Sequence, residues 1–307
     1  MATRRFISSK ELWKKLTEGA YYDIISYASK RENELDVQIR DNYMNVYYRG
    51  GNLLRIHPRS LFFDEFYFHR GAKNLRKTHL IEKANEGDKT CIALWESYKK
   101  LRNEMLENLK TSGGMETYST MMKKVMDEWE LDLHTIDISH DEKNEQQMIS
   151  MNNRGATPYT VIDLEYAVST TSTFYYDGKL EKKVPRFDII AVDKKGQLCV
   201  IELKTGLGAI DNNSGIGPHM DCFEHTIGRD REGLFLCEMT ELLKQKIVLN
   251  LIDKEICIDT QKKPLFIFAF SDKPGENNYN NFVDACRDKG YKGKVIYLDT
   301  SHQLKDI

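Results

Sequence analysis

Hydrophobic and polar residues alternate along the first part of the chain and then change to a helical spacing. Apolar positions at every second residue, separated by turn sequences, predict a small β-meander from Asp36 to Ile56. From Asn74 to Leu133 the apolar positions recur every three or four residues, and Ser112 with the two glycines after it interrupts them. The N-terminal part is therefore expected to be a meander followed by a helical hairpin.

The second half of the chain predicts alternating helices and strands. Segments with a helical or a strand pattern follow in the order helix, strand, helix, strand: Glu142 to Asn153, Thr160 to Thr170, Gly233 to Ile252 and Pro264 to Phe270. Between the second and the third of these segments lie two short apolar strands separated by a turn. This succession predicts a domain of the α/β class.

The turn between the two short strands is Asp-Lys-Lys-Gly, which predicts a β-hairpin. Its arms are Phe187 to Val192 and Leu198 to Leu203, and the glycine supplies the positive φ that a tight turn needs. Antiparallel pairing about this turn sets Asp188 near Glu202 and Lys204. Two carboxylates beside one ammonium suit a hard divalent cation with oxygen ligands. The alternative is a structural cluster in which the lysine neutralises the two acids.

The sequence around this hairpin resembles motifs II and III of the PD-(D/E)xK nuclease superfamily. Pro185, Asp188 and the run from Glu202 to Lys204 carry the resemblance, and the one departure is that two residues separate the proline from the aspartate. The flanking segments follow the order of the superfamily core, so the resemblance extends from Asp141 to Asp299. It implies a restriction-endonuclease-like fold, in which a central mixed sheet is flanked by helices.

The same resemblance implies phosphodiester hydrolysis assisted by Mg²⁺ or Mn²⁺. Asp188, Glu202 and the backbone carbonyl of Leu203 would hold the ion. Lys204 would orient or deprotonate the attacking water. Glu145, on the helix that opens the core, matches the position of a further acidic ligand, and a solvated helix face is the alternative explanation for it.

A polar, glycine-rich stretch from Thr205 to Gly233 follows the hairpin. A loop of this length inside a domain is usually functional or disordered, so it is expected to lie over the site. Its part from Asp211 to Gly233 is expected to be mobile without substrate and ordered by nucleic acid. Three residues in this stretch are candidate contacts for nucleic acid: His219, His225 and Arg229. The resemblance adds Gln245 and Lys246 on the next helix, at positions where the superfamily often presents a Gln or Lys toward the active site. For the two on the helix, a polar helix face is the alternative.

Composition adds a cellular setting. The chain has 307 residues and no run of eighteen apolar residues, and its start lacks the apolar stretch of a secretory signal. Its six cysteines form no Cys-x-x-Cys pair, which fits reduced thiols in the cytoplasm.

Positive charge is concentrated in the first part of the chain. Lys and Arg outnumber Asp and Glu by 21 to 15 in the first 110 residues, although the net charge of the whole chain is −2. This asymmetry suits a phosphate-binding surface or an ordinary solvated one.

Together these patterns predict two domains, residues 1–135 and residues 136–307. The first would be an α/β domain that binds nucleic acid or mediates oligomerisation, and the second a nuclease. The expected function is a Mg²⁺- or Mn²⁺-dependent DNA endonuclease of bacterial restriction or anti-phage defence, which acts without a membrane and self-associates through Leu94 to Trp129. An RNA or single-strand nuclease and a catalytically silent nucleic-acid-binding protein are the alternatives.

Overall fold

The chain forms two compact units. This computed structural model describes residues 5–63, 83–109, 111–133, 139–155, 157–168, 172–176, 179–183, 186–210, 215–230, 232–272 and 277–306. One unit comprises residues 9–37 and 43–144, and the other comprises residues up to Ser8, residues 38–42 and residues 145–307. The boundary predicted at residue 135 lies close to the observed one at residue 144, but two short N-terminal segments belong to the C-terminal unit.

The smaller unit contains a meander and a pair of long helices, as the hydrophobic pattern predicts. Its elements are α1 (Lys10–Thr17), α2 (Tyr22–Ala28), β1 (Asp36–Arg40), β2 (Tyr43–Tyr48), β3 (Gly51–Ile56), β4 (Leu61–Phe62), α3 (Lys89–Asn108) and α4 (Gly114–Leu133). From Gln38 onward β1 belongs to the larger unit. The hydroxyl of Tyr118 on α4 donates a 2.7 Å hydrogen bond to the carbonyl of Leu53 on β3, which ties the helical pair to the meander.

The apolar stripe that was expected to mediate self-association is in part internal to this unit. Met105, Leu109, Met122 and Met126 are buried there, as residues of a hydrophobic core are. Other side chains of the stripe lie outside the described part of the chain: Leu94, Tyr98, Val125 and Trp129. Self-association through α3 and α4 therefore stays a prediction.

The larger unit is built on a six-stranded mixed sheet. Its elements are α5 (Ser139–Asn152, which enters the unit at Glu145), β5 (Tyr159–Ala167), β6 (Ser172–Tyr176), β7 (Lys179–Lys183), β8 (Arg186–Asp193), β9 (Leu198–Thr205), α6 (Ile216–His225), α7 (Leu234–Val248), β10 (Leu265–Ser271), α8 (Tyr279–Asp288), β11 (Lys294–Leu298) and β12 (Leu304–Lys305). The strand order is β12-β11-β10-β9-β8-β5, and β6 and β7 form a separate hairpin. β10 is parallel to β9 and β11, whereas the other neighbours are antiparallel. The predicted α/β class and mixed sheet are confirmed; none of the described helices has the length and apolar character to cross a membrane.

Alternation along the strands gives this sheet two apolar faces. The first face is packed against α5 and includes Ile149, Ile189, Ile201 and Ile267. The second, here called the aromatic face, is packed against α6 and α8 and includes Ile216, Phe268, Phe270 and Phe282. Glu202 and Lys204 are the register partners of two of these phenylalanines, so both charged residues belong to the aromatic face. The sheet thus carries two ionisable groups inside an apolar layer.

A buried ion pair holds the N-terminal segment of the larger unit on β5. Asp163 follows a register shift in β5 and is fully buried. Its carboxylate lies 2.8 Å from Nη1 of Arg40 and 3.4 Å from Nε of Arg5. A buried carboxylate needs such partners because desolvation of a lone charge costs several kcal/mol.

Replacing Asp163 with Ala is therefore expected to lower the free energy of unfolding by about 3–5 kcal/mol, because two arginines are left without their counter-charge. Urea denaturation measures the change. Asp284 forms an exposed pair with Arg287 at 3.2 Å on α8 and supplies the matched control, for which Asp284→Ala should cost less than about 1 kcal/mol. Equal costs for the two variants would contradict the assignment of Asp163 as a structural charge.

Candidate active site

The turn of the β8–β9 hairpin fixes the register that brings the candidate residues together. The Asp193 carboxylate accepts hydrogen bonds from the N–H groups of Lys195 and Gln197, at 2.8 Å each. Gly196 has φ +78°, a conformation that glycine adopts without steric cost. The ladder then runs from the pair of Val192 and Leu198 to Ile189 opposite Ile201, as the hairpin pattern predicts.

Asp188 lies one residue beyond the last pair of this ladder. Its Oδ2 accepts a 2.9 Å hydrogen bond from the backbone N–H of Leu203. The carboxylate therefore points along the sheet toward β9. Because the N–H and C=O of a strand residue face the same neighbouring strand, the Leu203 carbonyl is directed to the side on which Asp188 lies.

Glu202 is fully buried, and no N–H group or hydroxyl of the described residues donates a hydrogen bond to its carboxylate. It lies within hydrogen-bonding reach of the Asp188 carboxyl group. Its Oε2 lies 3.1 Å from Nδ1 of His219, whose side chain keeps 20% exposure. Lys204, two residues further along the same face, is also buried. The structure thus brings together four of the predicted site residues, the three charges of the hairpin and His219.

His219 reaches the site on a helix that the sequence analysis missed. The stretch after Lys204 was expected to be a loop, but α6 occupies residues 216–225. Ile216 packs in the aromatic face, and Phe223 stacks on Phe266 with ring centroids 5.0 Å apart. The apolar spacing of Ile216, Met220 and Phe223 is the signal that could have identified this helix.

Burial changes the ionisation of the two carboxyl groups. Desolvation raises the pKa of Asp188 well above its ordinary value, and the nearby charge of Glu202 raises it further. Desolvation also raises the pKa of Glu202 to about 7, against the opposing effect of the Lys204 ammonium. Neighbouring carboxyl groups of this kind hold a proton between them near neutral pH. A divalent cation would replace that proton.

Glu145, the predicted fourth acid, has a different partner. Its Oε1 accepts a 3.2 Å hydrogen bond from the hydroxyl of Ser271. Ser271 pairs with Thr205, which alternation places on the face opposite Lys204. This contact lies beside the strand ends but away from the aromatic face, so it gives no support to Glu145 as a ligand.

The other predicted contacts for nucleic acid fall into two groups. Gln245 and Lys246 are buried. The Gln245 amide exchanges hydrogen bonds of 2.8 and 2.9 Å with the backbone of Ile7, and Lys246 donates a 3.0 Å bond to Gln38. These internal contacts leave both residues out of the candidate site.

His225 and Arg229 form the second group, and both are exposed. Nδ1 of His225 lies 2.8 Å from the backbone carbonyl of Asp221, one turn earlier on α6. Their part in phosphate binding stays a prediction.

Glu165 is a further acid near the site. On β5, its neighbours Leu164 and Tyr166 pair with Ile189 and Phe187 of β8. Glu165 therefore lies across from Asp188. It has φ +53°, an uncommon conformation for a residue other than glycine. Its carboxylate accepts hydrogen bonds from Gln146 at 2.8 Å and Arg186 at 3.2 Å. Glu165 is thus a neighbour of the carboxylate pair, and its own charge is balanced by Arg186.

The chain has no detected match among known proteins: no family model matches it, and neither do curated proteins or solved structures at a significant level. The described residues also contain no group of three or more His, Cys, Asp or Glu placed to hold a metal ion. A Mg²⁺ site does not need three such side chains, because Mg²⁺ is usually held by one or two carboxylates and keeps several waters. Asp188, Glu202 and the Leu203 carbonyl supply such a donor set, and two adjacent carboxyl groups that receive a hydrogen bond from one N–H fit a cation better than a packed core.

The raised pKa of Glu202 predicts how pH changes the stability of the metal-free protein. A carboxyl group with a folded-state pKa above its unfolded value stabilises the fold at low pH, and this contribution is lost as the pH rises from about 4.5 to about 7. Glu202→Gln removes the charge, so the variant should be more stable than the parent at pH 8 by on the order of 3 kcal/mol. The gain should fall to less than about 1 kcal/mol at pH 5, and urea denaturation in a chelator at both pH values measures it.

The exposed Glu255 supplies the control, for which Glu255→Gln should change stability equally little at both pH values. Lys204 and His219 also face Glu202, so Lys204→Met and His219→Gln backgrounds show whether their charges account for the difference. A Glu202→Gln protein less stable than the parent at pH 8 would identify Glu202 as a structural partner of Lys204 instead.

Proposed function

We propose that this chain is a metal-dependent nuclease with a restriction-endonuclease-like core that hydrolyses DNA phosphodiester bonds. The observation that carries the proposal is the buried Glu202 carboxylate, which receives no hydrogen bond from an N–H group or hydroxyl of the described residues and lies next to the Asp188 carboxyl group at the end of the hairpin. A fold that buries Glu202 beside the half-buried Asp188 accepts a cost in stability, which is typical of a functional site.

The succession of elements supports the fold part of the proposal. α5, β5, the β8–β9 hairpin, α7 and β10 follow in the order that the resemblance to the PD-(D/E)xK superfamily implies. The site lies where β9 has an antiparallel neighbour on one side and a parallel neighbour on the other. Glu202 and Lys204 lie toward the carboxyl end of β9, and the carboxyl ends of strands are a common place for ligands in open α/β sheets.

Each residue of the hairpin has a distinct part in the proposed reaction. Asp188, Glu202 and the carbonyl of Leu203 would hold a Mg²⁺ or Mn²⁺ ion. When bound, such an ion polarises the phosphodiester and lowers the pKa of water. The Nζ of Lys204 binds a phosphate oxygen or orients the attacking water, and the surrounding aromatic face excludes bulk solvent from the lysine.

The biological setting follows from the resemblance alone. We propose a DNA endonuclease of bacterial restriction or anti-phage defence, because that is a common use of the superfamily. A chain with one such centre cuts both strands of a duplex most simply as two copies, so a homo-oligomer is part of the proposal.

Incubation of the purified protein with plasmid, single-stranded DNA and RNA tests this function. Mg²⁺ or Mn²⁺ should support cleavage of the plasmid, and EDTA should abolish it. Asp188→Asn, Glu202→Gln and Lys204→Ala should each lower the rate by about 10² or more, because each removes a ligand or a water-orienting group. The rate of plasmid cleavage under single-turnover conditions is the measurement.

Calorimetric Mg²⁺ titration separates the three roles, since Lys204→Ala should still bind the ion while the two carboxyl variants should not. Lys194 lies exposed at the turn of the same hairpin, and Lys194→Ala should cleave like the unaltered protein. Cleavage that persists in EDTA, or at full rate in Lys204→Ala, would rule out the proposed mechanism. Faster cleavage of RNA or single-stranded DNA would replace duplex DNA as the substrate.

A further inference from the structure

We propose that one face of the meander formed by β2, β3 and β4 binds an unpaired strand of nucleic acid by stacking its bases on aromatic side chains. This inference goes beyond the proposed function, because the surface belongs to the smaller unit and requires neither metal nor cleavage. The surface, here called the stacking face, consists of six residues: Tyr43, Asn45, Tyr47, Arg55, His57 and Phe62.

The two faces of the meander differ in composition. Met44 lies opposite Ile56, and Val46 lies opposite Leu54; all four side chains are fully buried. Because successive side chains of a strand point to opposite faces, the residues that alternate with these four belong to the other face. The stacking face is therefore distinct from the apolar core of the meander, and its composition needs another explanation.

Strand register places an arginine between aromatic rings. Arg55 lies opposite Asn45 on one side and opposite Phe62 on the other. Its guanidinium carbon lies 5.4 Å from the centroid of the Tyr43 ring. Tyr43 is stacked on His57, with ring centroids 5.0 Å apart and 9° between the planes, and His57 meets Phe62 edge-on at 5.3 Å. Three aromatic rings and one guanidinium thus form a continuous surface.

Hydrogen bonds hold this surface in one arrangement. The Nε of Arg55 donates a 3.1 Å bond to Oδ1 of Asn45, and Nδ2 of Asn45 donates a 2.7 Å bond to the hydroxyl of Tyr47. Asn45 is itself buried, so its amide is a fixed support for both neighbours. Side chains that are ordered before binding lose little conformational entropy when a ligand arrives.

The accessible groups of the stacking face suit the bases and phosphates of an unpaired strand. Phe62 keeps 39% exposure, the Arg55 side chain is exposed, and Tyr43, Tyr47 and His57 are half-buried. Aromatic rings on the open face of a sheet stack with unpaired bases, and arginine binds phosphate or stacks on a base itself. The bases of a duplex are already stacked on one another, so the geometry favours an unpaired strand.

The charges around the stacking face are complementary to phosphate. Arg59 is exposed in the turn between β3 and β4, and Lys15 donates a hydrogen bond to a backbone carbonyl of the same turn. Glu11 offsets part of this charge, because it accepts a 2.8 Å bond from Lys15. Desolvation and the charge of Arg55 lower the pKa of His57, so its ring is neutral at neutral pH. The net charge of these groups is positive, which attracts a phosphate backbone.

Fluorescence anisotropy of labelled oligonucleotides, with the full chain in EDTA, tests this binding without cleavage. A short single strand should bind more tightly than the blunt duplex of the same sequence. Phe62→Leu and Tyr43→Leu each remove a ring but keep an apolar side chain, and each should weaken binding by about fivefold to a hundredfold, the usual cost of losing one stacked base. Arg55→Gln should weaken binding and also reduce its dependence on salt.

Two residues of the same unit supply matched controls. Tyr22 is 51% exposed on α2, and Tyr22→Leu should bind like the parent. Lys10 is exposed at the start of α1, and Lys10→Gln should change the affinity much less than Arg55→Gln does. DNA and RNA strands are compared, and the tighter of the two identifies the backbone that the stacking face accepts.

Photochemical cross-linking locates the bound bases in the parent protein. A single strand that carries 5-iodouracil forms, on irradiation, a covalent link to an aromatic ring lying against the base. Mass spectrometry should find the link in the peptides that contain Phe62 or Tyr43. This measurement decides the question even if a variant does not fold.

The outcomes separate this inference from the proposed function. Equal affinity for single strand and duplex, unchanged affinity in both ring variants, or cross-links outside the stacking face would overturn the inference. Failure of both strands to bind would show that the rings only pack against one another. Each of these results leaves the nuclease proposal to its own test, metal-dependent cleavage. Failure of plasmid cleavage, in turn, would leave binding at the stacking face standing.

Discussion

The need to place a carboxylate inside a covered sheet governs the rest of this structure. Glu202 lies on β9, which has a strand on either side and an apolar layer on each face. Water does not reach such a position, so the charged form of the side chain is costly there. At Asp163 the chain pairs a buried acid with two arginines within 3.4 Å. At Glu202 the nearest groups include a second carboxyl group, Asp188, together with Lys204 and His219. The contrast between these two acids in one unit is the strongest physical reason to regard Glu202 as a binding group.

The topology explains why other groups converge on the same point. β8 and β9 pair as far as Ile189 and Ile201, and Asp188 then turns its carboxylate to the N–H of Leu203. The connection from β9 to its parallel neighbour β10 must cross a face of the sheet, and α6 lies on this connection. The end of the hairpin and the beginning of the crossover thus meet, which brings His219 to Glu202.

The sequence predicted what is local and missed what is distant. The hairpin, its register and the convergence of Asp188 with Glu202 follow from strand alternation and one turn glycine, and the structure has them where they were expected. Helix α6 was missed because glycine, asparagine and proline dominate the composition around its few apolar positions.

The roles of Gln245 and Lys246 could not be predicted from a helical pattern. Their partners, Ile7 and Gln38, lie 238 and 208 residues away along the chain. A polar residue on an amphipathic helix has the same sequence pattern whether it faces solvent, a ligand or a distant backbone segment. Only the tertiary contact distinguishes these cases, and here it shows that part of the predicted phosphate-binding surface is internal.

The raised pKa values of the carboxyl pair also determine how metal binding relates to folding. If both groups had to be charged, the metal-free chain would carry two uncompensated buried charges, and the ion would be needed for the fold itself, as in small zinc domains. Because desolvation raises the pKa of Glu202 to about 7 and that of Asp188 well above its ordinary value, protons replace the cation at modest cost. We therefore expect the fold to form without metal, and the affinity for the proposed ion to rise with pH across the range in which the pair loses its protons.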